Sequence, residues 1–175
     1  MAEQLDLKEL RGEIDEIDRQ IIDLIEQRRR IIYRVAEYKR QHELPVFSPD
    51  RESEVIRKVE DRFGAKGSSA FKLLFGFLMD LNKYYEYRCV ERPVNVPTKM
   101  NGASIRAVIE DTPFALCRYL CPLAAAEVSI LSIRSESIPG GRLLVDLDLA
   151  GDTSDPAFAA VLSVLEDASE KFMIL

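Results

Sequence analysis

Apolar residues recur at steps of three and four through Leu7, Leu10, Ile14, Ile17, Ile21, Leu24, Ile31, Val35 and Tyr38. That period predicts one helix over residues 6–41, about 50 Å long at 1.5 Å per residue. A helix this long with so narrow a seam is not stable alone and needs a partner along its length. One step of the rhythm, between Leu24 and Ile31, carries Arg28 in place of an apolar residue. A guanidinium keeps its charge, and burying it unpaired costs several kcal/mol. No Asp or Glu lies in the stripe, so a bound anion is the candidate partner.

The pattern then breaks. Residues from His42 to Pro49 read as a turn, Asp50 to Phe63 as a second helix, Gly64 to Ser69 as a loop. A third helix runs from Phe71 to about Arg92, with the Leu and Phe stripe of 71–81 as core and Tyr84, Tyr85 and Tyr87 as packing residues. Two prolines and no periodicity mark a linker over 93–102. Beyond it the grammar changes. Ile105–Ile109 alternates as a strand, and Pro113 opens a helix to about Ala126. Val128–Ile133 and Arg142–Leu149 read as strands around Pro139-Gly140-Gly141. Asp155-Pro156 caps a helix to about Ser169, and Phe172–Leu175 is a last strand. The expected architecture is therefore an all-α three-helix domain (1–92) and a small α+β, ferredoxin-like βαββαβ domain (103–175).

Charge narrows the function. The chain has a net charge of −6, and residues 1–92 carry 18 basic and 19 acidic side chains against 6 and 11 beyond. No broad basic face exists to hold nucleic acid, and Arg28, Arg29 and Arg30 point in different directions from one helix. The start, MAEQLDLKELR, lacks the apolar core of a signal peptide, and no segment suits a bilayer, so the cytoplasm is the expected compartment. Cys89, Cys117, Cys121 and the lone His42 form neither a disulfide framework nor a zinc site. No Gly-rich phosphate loop or nucleophile elbow is present. Any chemistry must rest on positioned charges, without cofactor or metal.

Lys39 lies eleven residues after Arg28. Both project from nearly the same face, roughly 16 Å apart, and their long side chains can converge on one small anion. Arg11 lies about 42 Å from Lys39 along the axis and cannot share that ligand within one helix. Two copies packed antiparallel would allow it, which favours a dimer with shared sites. In the second helix, Arg51 offers another cation and Glu52 an acceptor for a hydroxyl; as first-turn surface charges under an Asp50 cap they would need no ligand.

The pieces LKELRGEIDEIDRQIIDLIEQRR, VAEYK, PVFSPDRE and LFGFLMDLNKYYEYR carry a resemblance. Residues 7–88 resemble the all-helical class of chorismate mutases, which are intertwined dimers, so a homodimer or higher oligomer with shared sites is expected. The resemblance implies a cofactor-free rearrangement of the dianion chorismate to prephenate, serving phenylalanine and tyrosine synthesis. By carry-over, Arg28 and the partner's Arg11 clamp carboxylates, Lys39 donates to the breaking ether oxygen, and Glu52 accepts from the ring hydroxyl beside Arg51. Ser48 stands where the family commonly has Asp, Asn82 where it has Ser or Thr, and Glu86 where it has Gln. An ionised Glu cannot donate to the ether oxygen; a protonated one can, and fungal members carry Glu there.

Residues 103–175 resemble an ACT domain, most closely the regulatory domain of prephenate dehydratases, where phenylalanine is the effector. Thr112-Pro113-Phe114-Ala115-Leu116 stands where those proteins have Pro-Gly-Ala-Leu, and Ile133-Arg134-Ser135-Glu136 where they have Ile-Glu-Ser-Arg. Both segments are altered, so the domain reads either as an amino-acid sensor or as a purely dimerising or degenerate module. Two rivals to the enzyme remain: a non-catalytic regulatory protein binding a dicarboxylate or amino acid on a mutase scaffold, and a structural coiled-coil adaptor. The adaptor leaves Arg28 unexplained.

Overall fold

Asp6 starts the chain's longest element. Its carboxylate accepts from Lys8 N at 2.9 Å, satisfying one of the helix's open donors, and α1 runs unbroken over Leu7–Gln41. The structure is a computed structural model that describes residues 6–90 and 102–175. The linker expected over 93–102, all but its last residue, lies outside the described residues. α1 ends where His42 N donates to Tyr38 O and Lys39 O, and the His42 ring stacks on Tyr38.

Helix α2 (Pro49–Gly67) begins with Ser48 as N-cap and Pro49 at its first position, so Asp50 lies inside the first turn and is not the cap. The loop expected over 64–69 is smaller than the sequence suggests. Only Gly64 leaves helical geometry, with φ of 70°, and the helix resumes to Gly67. Helix α3 (Ser69–Val90) buries Met79, Tyr84 and Tyr87, but the core expectation over 71–81 needs correction. Phe71 and Leu74 are exposed, and Phe71 stacks on Phe63 near the α2–α3 junction.

The second half is the expected βαββαβ: β1 (Ala103–Glu110), α4 (Ala115–Ala125), β2 (Ile130–Ile138), β3 (Arg142–Leu149), α5 (Pro156–Asp167) and β4 (Lys171–Ile174). The antiparallel sheet has the order β2-β3-β1-β4. Strict alternation buries Ile105, Ala107 and Ile109 of β1 and Val145, Leu147 and Leu149 of β3 against α5. The opposite face is polar, with Arg106 paired to Asp146 at 2.7 Å and Ser104 bonded to Asp148 at 2.6 Å. Asp155 caps α5 by accepting from Ala157 N at 2.8 Å. Pro113 does not open α4; it lies in a turn closed by Ala115 N to Thr112 O, and the helix begins two residues later.

The halves are packed together. α3 lies against both α4 and α5, and Tyr84 and Tyr87 join the core built by the sheet. The Tyr87 hydroxyl donates to Asp167 at the end of α5. By contrast, Leu7, Ile14, Ile17, Ile21 and Leu24 of α1 are all exposed.

Candidate active site

The turn after α1 sends the chain back along that helix, so the first turn of α2 faces the second half of α1, and α3 closes the third side. Between them lies a hollow of about 390 Å³. Arg28 and Lys39 enter it from α1, Ser48, Arg51 and Glu52 from the start of α2, and Asn82 and Glu86 from α3. Seven of the eight expected site residues therefore share one cavity, with Ile32, Val35, Val55 and Met79 among its apolar walls. The eighth, Arg11, is exposed on the first turns of α1, outside the hollow. A helix that is straight enough to be one unbroken element cannot return Arg11 to its own site.

Arg28 is half-buried and donates to Leu78 O at 3.3 Å; among the described residues it forms no ion pair. Burial, and then the charge of Arg51, weaken its hold on its proton, while Glu86 strengthens it. An anion entering the hollow removes that frustration. Lys39 Nζ donates to Glu86 Oε2 and to Val46 O, each at 2.7 Å. The second bond ties the turn at 42–48 to the site. Burial holds the Glu86 carboxyl above its ordinary range, and this outweighs the opposing pull of Lys39, Arg28 and Lys83. Ser48 makes no capping bond with its side chain, and the residue lines the hollow.

Lys83, not among the residues expected from the sequence, is a fourth cation in the lining. Its Nζ lies 3.0 Å from Glu52 Oε1 and 2.9 Å from Asp80 Oδ1. Burial works against its charge, but Asp80 and Glu52 outweigh it and the shift is upward. The signal was present: Asp80 and Lys83 are charges set three apart in an apolar segment, the same anomaly that Arg28 makes in α1. The two altered segments of the C-terminal half line different hollows. Thr112 and Ala115 border one of about 200 Å³ between the halves, while Arg134 borders another on the polar face of the sheet.

The arrangement suits a small dianion: cations at several points, apolar walls for a ring, and carboxyls placed to accept or donate single hydrogen bonds. Residues 10–87 match the family described as chorismate mutase type II. A chorismate mutase from Methanocaldococcus jannaschii is 34% identical over 92 residues, covering 51% of this chain and 92% of that protein. A bifunctional chorismate mutase/prephenate dehydratase from Aquifex aeolicus is 43% identical over 54 residues, or 31% of this chain. That stretch spans only 15% of the Aquifex protein's length. Among solved structures, a prephenate dehydratase in complex with L-Phe from Arthrobacter aurescens aligns with a TM-score of 0.40 at 25% identity, over 48% of this chain and 29% of that one.

Proposed function

Because the chain belongs to the chorismate mutase type II family, we propose that it rearranges chorismate to prephenate in aromatic amino acid biosynthesis. It does so in the cytoplasm, as a homodimer in which each site borrows the partner's Arg11. The observation that carries this reading is the hollow itself, where Arg28, Lys39, Arg51 and Lys83 converge and Arg28 forms no ion pair among the described residues. The exposed stripe of α1 supports the dimer. A second copy packed antiparallel covers Ile14, Ile17 and Ile21 and carries its Arg11 toward the open end of the site.

In this reading Arg28 and the partner's Arg11 hold the two carboxylates and select the compact conformer in which the reacting carbons meet. Lys39 donates to the ether oxygen as the C–O bond breaks and negative charge builds there. Glu86 donates to the same oxygen from its protonated form. Substrate carboxylates add negative charge to the hollow and favour that form further. Glu52 accepts from the ring hydroxyl, beside Ser48 and Arg51, and Asn82 donates to a carboxylate. No covalent intermediate is required. The C-terminal domain is the proposed place for an amino-acid effector, with phenylalanine the first to test.

The test follows loss of chorismate's ultraviolet absorbance with purified protein, with and without phenylalanine. Prephenate formation is expected, and Lys39→Ala is expected to slow it by about 10²–10³-fold, the worth of one donor aimed at developing charge. Wild-type protein that binds prephenate yet turns nothing over sinks the enzyme reading and leaves a binding module.

A further inference from the structure

Glu52 does not stand on the helical half alone. We propose that Arg118, on α4 of the C-terminal half, is a positioning residue for Glu52, so that the sheet domain completes the mutase site; this rests on the mutase reading above. Arg118 Nη2 lies 3.5 Å from Glu52 Oε2, and its Nε donates to Asp80 Oδ2 at 3.1 Å. Lys83 closes the figure from the other side through Glu52 Oε1 and Asp80 Oδ1. Two cations and two carboxylates thus alternate in a ring, with Asp80 and Lys83 only 3% and 6% exposed. Each Glu52 oxygen faces its own cation, which fixes the carboxylate's direction instead of leaving it to rotate.

Two further features point the same way. Glu52 and Lys83 line both the substrate hollow and the smaller hollow between the halves, so they form the partition between them. Gly76 on α3 makes room for the arginine: a Cβ there would meet Arg118 Nε at 2.8 Å and Cζ at 3.1 Å. Those atoms are the far end of a flexible side chain, so an added methyl displaces the guanidinium without breaking the helix.

The experiment is a double-mutant cycle in the full-length protein: wild type, Arg118→Gln, Glu52→Gln and both together, read by steady-state kinetics and by thermal melting. Arg118→Gln is expected to lower kcat/KM about tenfold when Glu52 is present and less than about twofold in the Glu52→Gln background. Gly76→Ala is expected to reproduce the Arg118→Gln loss with little change in melting temperature. Equal losses in both backgrounds, or kcat/KM within twofold of wild type in Arg118→Gln and Gly76→Ala, overturn the proposal. If wild-type protein shows no turnover, the mutase reading falls on its own. The melts then decide the tie: non-additive shifts keep it, additive shifts end it.

Discussion

α1 and α5 both carry apolar residues that call for burial, yet they meet opposite fates. α1 has 35 residues and buries only Ala36. α5 has 12 and buries seven, among them Phe158, Val161, Leu162 and Leu165. α5 lies between the apolar face of the sheet on one side and helices α3 and α4 on the other, so that core closes within one chain. The first half of α1 runs beyond the reach of α2 and α3, and its stripe faces outward. An apolar stripe therefore says that burial is needed, not whether the chain itself supplies it. Where it does not, a second copy is the natural cover, and in the proposed dimer the site gains its extra cation from the same event.

The largest effect that separates the two helices comes from charging the uncovered stripe. Ile17→Asp with Ile21→Asp strikes side chains that are 55% and 47% exposed within one chain. In a monomer these changes are nearly silent. If α1 is the dimer seam, sedimentation shows monomers and turnover falls to background, while the near-ultraviolet signal of the sheet domain persists. A dimer of wild-type size with full activity breaks the comparison.

The reverse experiment strikes α5. Leu162 is fully buried, and Leu162→Ala is expected to cost about 2–5 kcal/mol of unfolding free energy through lost contacts and the cavity left behind. Because Tyr84 and Tyr87 share that core, both halves should melt earlier together. Denaturant unfolding followed by tyrosine fluorescence and by turnover checks this; loss of the sheet alone, with mutase activity retained, shows that the halves are energetically separate.

α3 lies between the two regions, and Glu86 on it gives a smaller, pH-dependent effect. Its carboxyl is held above the ordinary range chiefly by burial, with Lys39, Arg28 and Lys83 pulling the other way. Such a group keeps its proton to higher pH than a free Glu. In the proposed mechanism its donation to the ether oxygen is present below that raised value and is lost as pH rises through it. kcat is therefore expected to fall as pH rises through that raised value, and Glu86→Gln, which donates at every pH, to flatten the profile. A profile unchanged by the substitution assigns the titration elsewhere.

Periodicity made most of the fold legible, and charge within periodicity made most of the site legible. Helix α1, strand β3 and the Asp155 cap lie within a residue or two of their sequence expectation. β2 does not: expected over 128–133, it runs over Ile130–Ile138 through Arg134-Ser135-Glu136-Ser137. An edge strand exposed on both faces has no alternation to read, and only pairing with β3, Arg134 opposite Asp146, defines it. In the site, Arg28 was visible because it interrupts a stripe. Arg118 was not, because its partners Asp80 and Glu52 lie on other helices, and no local pattern encodes a pairing across 38 or 66 positions.

The smallest effect concerns Phe114, where the backbone is left-handed with φ of 68° and ψ of 6°. A non-glycine residue there costs about 1–2 kcal/mol. The side chain is 60% exposed and recovers little of that by packing within the chain. Phe114→Gly relieves the strain but adds about 0.5–1 kcal/mol of backbone entropy to the unfolded state. The net is a gain of about 1 kcal/mol or less, a rise of at most about 4 °C in melting temperature for a chain of this size. A drop instead means that the ring is covered by something outside its own chain. Phe114 would then belong with the α1 stripe, as an apolar group whose burial the single chain does not supply.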